Sequence, residues 1–221
     1  MNPEDLEAAA RTEAMTPERL PAAVEDLIGV TERFIAARAP QFGAGSPVPW
    51  ADQAQRRAQA STGLPVLCHL SRLLAVAPPV TRPLVRALHS AGPLLGWHQT
   101  YSAEQVGQRF LEHYGWSELV GLGGPVPGTE FAAGFLILGP DIDYPPHRHE
   151  ALELYLPLAG RASWWRGGGW HEAQPGETVC HASWEAHAMR TGGEPLLALY
   201  LWRSKNIAQH AELIDPQEAD R

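Results

Sequence analysis

Cysteine is scarce in this chain of 221 residues: Cys68 and Cys180 are the only two, and they lie far apart. They make neither a disulfide framework nor a CxxC metal or redox pair, so both are expected to be ordinary buried thiols. Basic charge is also short, with 17 Lys and Arg against 25 Asp and Glu and a net charge of −8. Binding to phosphate backbones or anionic lipid depends on Lys and Arg neutralising negative charge, so no nucleic acid and no membrane partner is expected. No stretch approaches 18 uninterrupted apolar residues, and the start Met1-Asn2-Pro3-Glu4-Asp5 lacks the basic-then-apolar pattern of a secretory signal. A cytoplasmic protein is the expectation. A chain this long hides roughly 70% of its unfolded surface on folding, so it needs no structural metal; any bound ion is expected to serve function.

Glycine and proline, at 21 and 20 residues, make up nearly a fifth of the chain, well above the ~12% they usually contribute. They cluster after position 120, in Gly123-Gly124-Pro125, Pro127-Gly128, Gly139-Pro140, Pro145-Pro146, Gly167-Gly168-Gly169, Pro175-Gly176 and Gly192-Gly193. Short apolar runs between recurring turn signals point to many short strands closed into a sandwich or barrel. Candidate strands are 131–138, 152–158, 162–165, 177–181 and 196–202.

Residues 1–118 read instead as helical. Leu20, Val24, Leu27, Ile28, Thr31, Phe34 and Ile35 recur at spacings of three and four and share one helical stripe. Thr16-Pro17-Glu18 supplies start signals for that helix, and Pro40 marks its end. Further helices are expected over 51–60, 64–76, 82–90 and 103–114, the last opening on Ser102 with Gln105 at capping-box spacing. The expected organisation is thus a helical region over 1–118, a β domain over 119–205 and a polar, loosely attached tail over 206–221.

The informative stretch runs from Gly139 to Gly160. Alternate residues of a strand share a face, so His147 and His149 point the same way, as do Glu153 and Tyr155. Two imidazoles and a carboxylate suit one divalent transition metal ion, Fe2+, Zn2+, Mn2+, Ni2+ or Co2+, rather than the softer ions that thiolates favour. A further ligand has to come from farther along the chain. After Pro175-Gly176-Glu177 two histidines are placed for it, His187 and its rival His181, with spacing favouring His187.

His-x-His-x3-Glu-x6-Gly followed by Pro-Gly-Glu and a later His resembles the two cupin motifs. The resemblance implies an α+β chain, with an N-terminal helical segment packed on a C-terminal double-stranded β-barrel (jelly roll). It also implies His147, His149, Glu153 and His187 as metal ligands. One departure is that the run from Cys180 to His187 lacks the proline usual there, which keeps His181 in contention. Trp97-His98-Gln99-Thr100-Tyr101, the start Tyr144-Pro-Pro-His-Arg-His and the pair Glu153-Leu-Tyr155 look like the cupin dimethylsulfoniopropionate lyases, over most of residues 90–205.

That resemblance implies a substrate with a carboxylate at one end and a sulfonium at the other, cleaved to dimethyl sulfide and acrylate by β-elimination. A metal holding the carboxylate stabilises the charge that develops there, and a base must reach the α-proton. Tyr155 is the candidate base, with the role of metal ligand left open for it; Tyr144 is a second base or a lid hydrogen-bond donor. The sulfonium can rest on aromatic faces, for which Trp202 and Tyr101 or Tyr144 are the candidates. Two other readings stand beside this one: an Fe(II) cupin dioxygenase or isomerase, and a non-catalytic small-molecule-binding cupin. The sequence leaves the oligomeric state open, a homodimer being the form that an exposed apolar face favours.

Overall fold

The computed structural model describes residues 19–43, 50 and 55–215. Helix α1 (Ala22–Arg38) buries Val24, Leu27, Ile28, Thr31 and Ile35, the stripe read from the sequence. It starts after Pro21, whose extended backbone (ψ 139°) precedes the first turn; the earlier start signals at 16–18 fall outside the described residues. The 64–76 segment divides into a tight 3-10 turn (Pro65–His69) and helix α2 (Leu70–Val76), and α3 follows at Arg82–Ala91. Thr81 Oγ donates to Leu158 O at 2.5 Å, tying this layer to the sheet beneath.

Two expectations for the helical region fail. In the expected 51–60 helix, residues 56–60 are irregular and the part over 51–54 lies outside the described residues. The reason is that Arg56 and Arg57 are committed elsewhere: Arg56 pairs with Glu25 of α1, and Arg57 donates to Gly124 O at 3.0 Å and to Leu122 O. The segment is a strap between α1 and a distant loop. The 103–114 helix is broken into α4 (Ala103–Val106) and α5 (Gln108–Glu112) by Gly107, whose φ of 80° a helix cannot contain. Its Ser102/Gln105 capping box is present.

Twelve strands follow among the described residues: β1 (Trp97–His98), β2 (Tyr114–Gly121), β3 (Val126–Pro127), β4 (Phe131–Leu138), β5 (Asp143–Arg148), β6 (Leu152–Gly160), β7 (Ser163–Arg166), β8 (Gly169–Glu172), β9 (Val179–His181), β10 (His187–Arg190), β11 (Leu196–Arg203) and β12 (Glu212–Leu213). The larger sheet runs β1-β2-β4-β11-β6-β9 with β3 beside β2, and the smaller runs β12-β5-β10-β7-β8. Strand β1 and the first part of β2 thus come from residues before 119. The larger sheet is covered on both faces, which is why β4 and most of β11 read as unbroken apolar runs rather than as alternation. Its outer face sets Phe135, Ile137, Leu154, Leu156, Leu199 and Leu201 against the helices. Its inner face sets Leu136, Tyr155, Ala198 and Tyr200 against the smaller sheet, with Tyr144, Trp164 and Met189. This is the double-sheet barrel, with helices packed on one side, that the cupin resemblance implies.

Residues 206–215, the described part of the expected tail, are not loosely attached. Strand β12 pairs with β5 (Glu212 opposite Arg148, Leu213 opposite His147), Ile214 N donates to Pro146 O at 3.0 Å, and the Glu150 amide donates to Gln209 Oε1 at 2.8 Å. Its polarity reflects an edge position, where backbone pairing rather than apolar burial holds a segment. Cys68 and Cys180 are both exposed, against the expectation of buried thiols. For Cys180 the cause is strand alternation, since its neighbours Val179 and His181 take the two inward positions of β9.

Candidate metal centre

Strand β5 carries His147 and leads into His149; the turn at 149–151 brings the chain back along β6, which carries Glu153 and Tyr155. His187 opens β10, directly opposite His147, and His181 closes β9 opposite Glu153. The turn between those two histidines is closed by Glu185, whose carboxylate accepts from Ala182 N at 2.7 Å, with Trp184 in the left-handed region at φ 63°. It does the work of the missing proline. All four histidines and Glu153 are buried.

Among the described residues, one group has donor atoms all within 4.8 Å of one another: His149, Glu153 and His187. His149 Nε2 lies 3.2 Å from Glu153 Oε2, and His187 Nε2 lies 3.1 Å from the same oxygen. Three backbone carbonyls decide what those nitrogens are. Nδ1 of His147 faces Pro145 O at 2.9 Å, that of His149 faces Ala151 O at 3.0 Å, and that of His187 faces Glu185 O at 2.8 Å. A carbonyl only accepts, so each Nδ1 carries a proton; Nε2 then faces inward as a lone pair in the neutral ring and as a donor in the charged one. At about 3 Å from one carboxylate oxygen, the Nε2 atoms of His149 and His187 either share protons with Glu153 or, unprotonated, act with it as ligands of a cation placed among them. Ligands at ~2.1 Å from one ion stand about 3.0–3.4 Å apart at octahedral or tetrahedral angles, so the spacing fits a divalent metal.

Burial by itself would push the Glu153 carboxyl up; with no ion among them, donation and positive charge from protonated His149 and His187 outweigh burial and hold the carboxyl well below the usual range. Burial, then the neighbouring His187, drives His147 well below an ordinary imidazole. His147 borders the tight group, its ring 4.1 Å from His187 and 6.3 Å from His149. His181 stacks on the far side of His187 at 4.0 Å and 12°. Neither of its nitrogens has a partner, and burial followed by His187 lowers its pKa to about 3.

The aromatic candidates divide. Trp202 Nε1 donates to Glu153 Oε1 at 2.6 Å while its ring packs on His149 at 4.3 Å, so one indole braces two members of the group. Tyr155 stands on the cavity wall, its phenol kept protonated by burial, then by the Glu153 charge and a hydrogen bond to that carboxylate. Tyr144 stacks on His147 at 4.3 Å and 10° and shares hydrogen bonds with Tyr101 at 3.2 Å and Tyr114 at 3.5 Å. Tyr101 is one layer behind Tyr144 and does not line the cavity, because Tyr144 fills the space in front of it.

The group opens into a cavity of about 340 Å³, whose walls include His147, Glu153, Tyr144, Tyr155, Trp202 and Tyr200. Sequence reasoning missed several of its residues. Trp116 and Glu118 come from β2, Tyr114 stands beside them, and Ile207, Ala208, His210 and Ala211 of the C-terminal strap close one side. Two signals were available: Tyr200 precedes Trp202 by two on one strand, and Gly134 interrupts an apolar strand, a mark of close approach.

Barrel and donor set together define a cupin with a buried His/Glu group able to hold a metal ion beside a small-molecule cavity. A family model described as dimethylsulfoniopropionate lyase matches residues 49–198, and the chain belongs to that family. The dimethylsulfoniopropionate lyase DddQ of Ruegeria pomeroyi is 36% identical over 120 residues, covering 53% of this chain and 59% of that protein. A DddL protein of Cereibacter sphaeroides is 28% identical over 141 residues, covering 62% of this chain and 59% of that protein. The chain thus matches about three fifths of the length of these curated relatives. Among solved structures, one reported with the lyases RdDddP and RnDddQII superposes with a TM-score of 0.78 at 31% identity, covering 88% of this chain and 98% of that one. DddQ of R. pomeroyi superposes at 0.77 and 26% identity, covering 90% and 99%. Among the described residues no helix is long and apolar enough to cross a membrane.

Proposed function

We propose that this chain is a metal-dependent carbon–sulfur lyase that cleaves dimethylsulfoniopropionate to dimethyl sulfide and acrylate. The observation that carries the reading is the convergence of two imidazole nitrogens and a carboxylate at one end of the aromatic cavity, in a chain of this family. His149, Glu153 and His187, with His147 beside them, would hold the ion. A divalent ion bound there supplies Lewis acidity toward the substrate carboxylate and steadies the charge that grows on it as the α-proton leaves.

The remaining work belongs to side chains. Tyr155 Oη, on the cavity wall two residues from Glu153 on the same strand face, would take the α-proton as a phenolate, the form that a dication held by the His/Glu group would favour against burial and the Glu153 charge. The electron pair of that C–H bond forms the C=C bond of acrylate, and the C–S pair leaves with sulfur as neutral dimethyl sulfide. No acid is required at sulfur, because the leaving group departs uncharged. Tyr144, supported from behind by Tyr101 and Tyr114, is a second hydroxyl within the same cavity and the base in the rival assignment. Trp202 keeps Glu153 aimed, and the aromatic walls limit water at the reacting carbon.

Headspace gas chromatography for dimethyl sulfide on metal-loaded protein tests the reading. Wild type should release the gas and Tyr155→Phe should release none while metal content stays near wild type. Full activity in that variant moves the base to Tyr144, and no gas from wild type removes the activity altogether. The donor set of two histidines and one carboxylate also matches the facial triad of non-haem iron oxygenases. Turnover with zinc or manganese under nitrogen separates elimination from that chemistry, since only elimination proceeds without oxygen.

A further inference from the structure

The register of the larger sheet aligns four residues in one row across its inner face. Tyr155 on β6 stands opposite Tyr200 on β11, Tyr200 opposite Gly134 on β4, and Gly134 opposite Glu118 on β2. Gly134 leaves a gap in the row: a Cβ there would come within 2.7 Å of the Tyr200 hydroxyl. Tyr200 therefore lies across β4, its Oη 3.5 Å from Ser117 O of β2. Trp116 and Trp202 flank it, with ring centroids 6.5 and 6.2 Å away and both edge-on. These three rings form a wall leading from the His/Glu group toward Glu118.

Glu118 is a half-buried carboxylate on this largely apolar cavity. Its Oε2 accepts from Gly123 N at 2.6 Å, and the amides of Gly124 and Leu122 also support the carboxylate. Arg57 spends its hydrogen bonds on the carbonyls of Gly124 and Leu122 and reaches Glu118 only through its charge; with those amides it falls short of offsetting burial, so the pKa of the carboxyl is raised. Among the described residues no ion pair is formed to Glu118. An acid left without a counter-ion on such a wall favours a cationic ligand, and aromatic faces beside it favour the soft, poorly hydrated onium kind. Three strand spacings, about 14 Å between backbones, separate Glu118 from Tyr155, and Glu153 lies two residues, about 7 Å, further along β6, which puts the two acids about 16 Å apart at the backbone on one cavity wall.

We propose that Glu118, with Trp116 and Tyr200, forms an onium subsite that selects substrates carrying a sulfonium or quaternary ammonium a few bonds from the carboxylate held at the His/Glu group. The proposal rests on the lyase reading for its reaction but not for its binding. It also makes a kinetic statement. The sulfonium loses its charge as the C–S bond breaks, so attraction to Glu118 acts on the bound ground state and fades toward the transition state; its loss raises KM rather than lowering kcat.

The test is calorimetric titration of the zinc-loaded protein with two carboxylates of the same shape. One is 3-(trimethylammonio)propionate, whose amine is a poor leaving group, and the other is 4,4-dimethylpentanoate, in which an uncharged tert-butyl group replaces the ammonium. Wild type should bind the cation at least tenfold more tightly, and Glu118→Gln should bring the ratio close to one. Glu118→Asp, which keeps the charge, should retain most of the preference. A wild type without preference, or a ratio unchanged in Glu118→Gln however far both affinities fall, overturns the subsite and leaves Glu118 as a loop anchor. If the preference behaves as stated but no dimethyl sulfide is released, the subsite stands and the lyase reading fails.

Discussion

Replacing Trp202 by Phe separates two roles of one side chain. The indole packs on His149 with ring centroids 4.3 Å apart, a contact that a phenyl ring largely retains, and it donates Nε1–H to Glu153 Oε1 at 2.6 Å, which a phenyl ring cannot. A hydrogen bond to a charged group contributes about 1.5–3 kcal/mol, or roughly 10–100-fold in an equilibrium constant. Outer partners of metal ligands commonly cost the same 10–100-fold in metal affinity when removed, and here the partner both orients the carboxylate and offsets its desolvation. Competition of the apo protein against a zinc chelator should therefore give a dissociation constant 10–100 times that of wild type for Trp202→Phe. Trp202→Tyr, unable to place a donor at the indole position, should resemble Phe. A change of less than twofold would mean that the bond does not orient Glu153. A loss as complete as that of Glu153→Ala would mean that the ring, not the bond, is what matters.

The C-terminal strap gives a second test: Gln209→Ala removes the acceptor for the Glu150 amide, and hydrogen exchange at Glu150 should quicken while KM rises several-fold. Unchanged exchange there would show that the β12 pairing alone holds the strap. Acid sensitivity follows from His181, which is neutral in the fold with a pKa near 3 against ~6.5 when unfolded. Because the folded value is the lower one, stability is intact above pH ~6.5 and falls as the unfolded chain takes up a proton between ~6.5 and about 3. From pH 7 to 5 the apo protein should lose about 2 kcal/mol from this group. Urea unfolding at the two pH values measures it, and His181→Leu should flatten the difference; an equally steep slope in that variant assigns it to other groups.

What the sequence disclosed and what it hid differ by range. His147, His149, Glu153 and Tyr155 sit on two adjacent strands joined by a short turn, so alternation alone puts them on shared faces. Strands β4 and β11 were legible as apolar runs because both their faces are covered. Strand β2 was hidden because Tyr114-Gly-Trp-Ser-Glu directly follows a segment with helical spacing, whose last helix, α5, ends only at His113. The strap at 206–215 was misread because a two-residue edge strand held by backbone bonds and one glutamine has no apolar signature.

The cavity wall was hidden for a different reason. Trp116, Glu118 and Tyr200 come from strands some eighty residues apart in sequence, and only the pairing of β2, β4 and β11 sets them side by side. Ligand residues can be local because one ion gathers them, whereas a wall that reads the far end of a substrate has to span the sheet. On the proposed reading that division falls along function: the residues assigned to the chemistry were readable from spacing, and those assigned to substrate choice had to await the register. The subsite proposal predicts that, in proteins with the His-x-His-x3-Glu-x-Tyr run, preference for an onium over an uncharged group follows the acidity of the β2 position that faces the Gly134 counterpart. Exchanging Glu118 for Gln tests that division directly, since it should alter which carboxylates bind and leave zinc affinity within twofold of wild type; a large loss of zinc would show the two halves to be one.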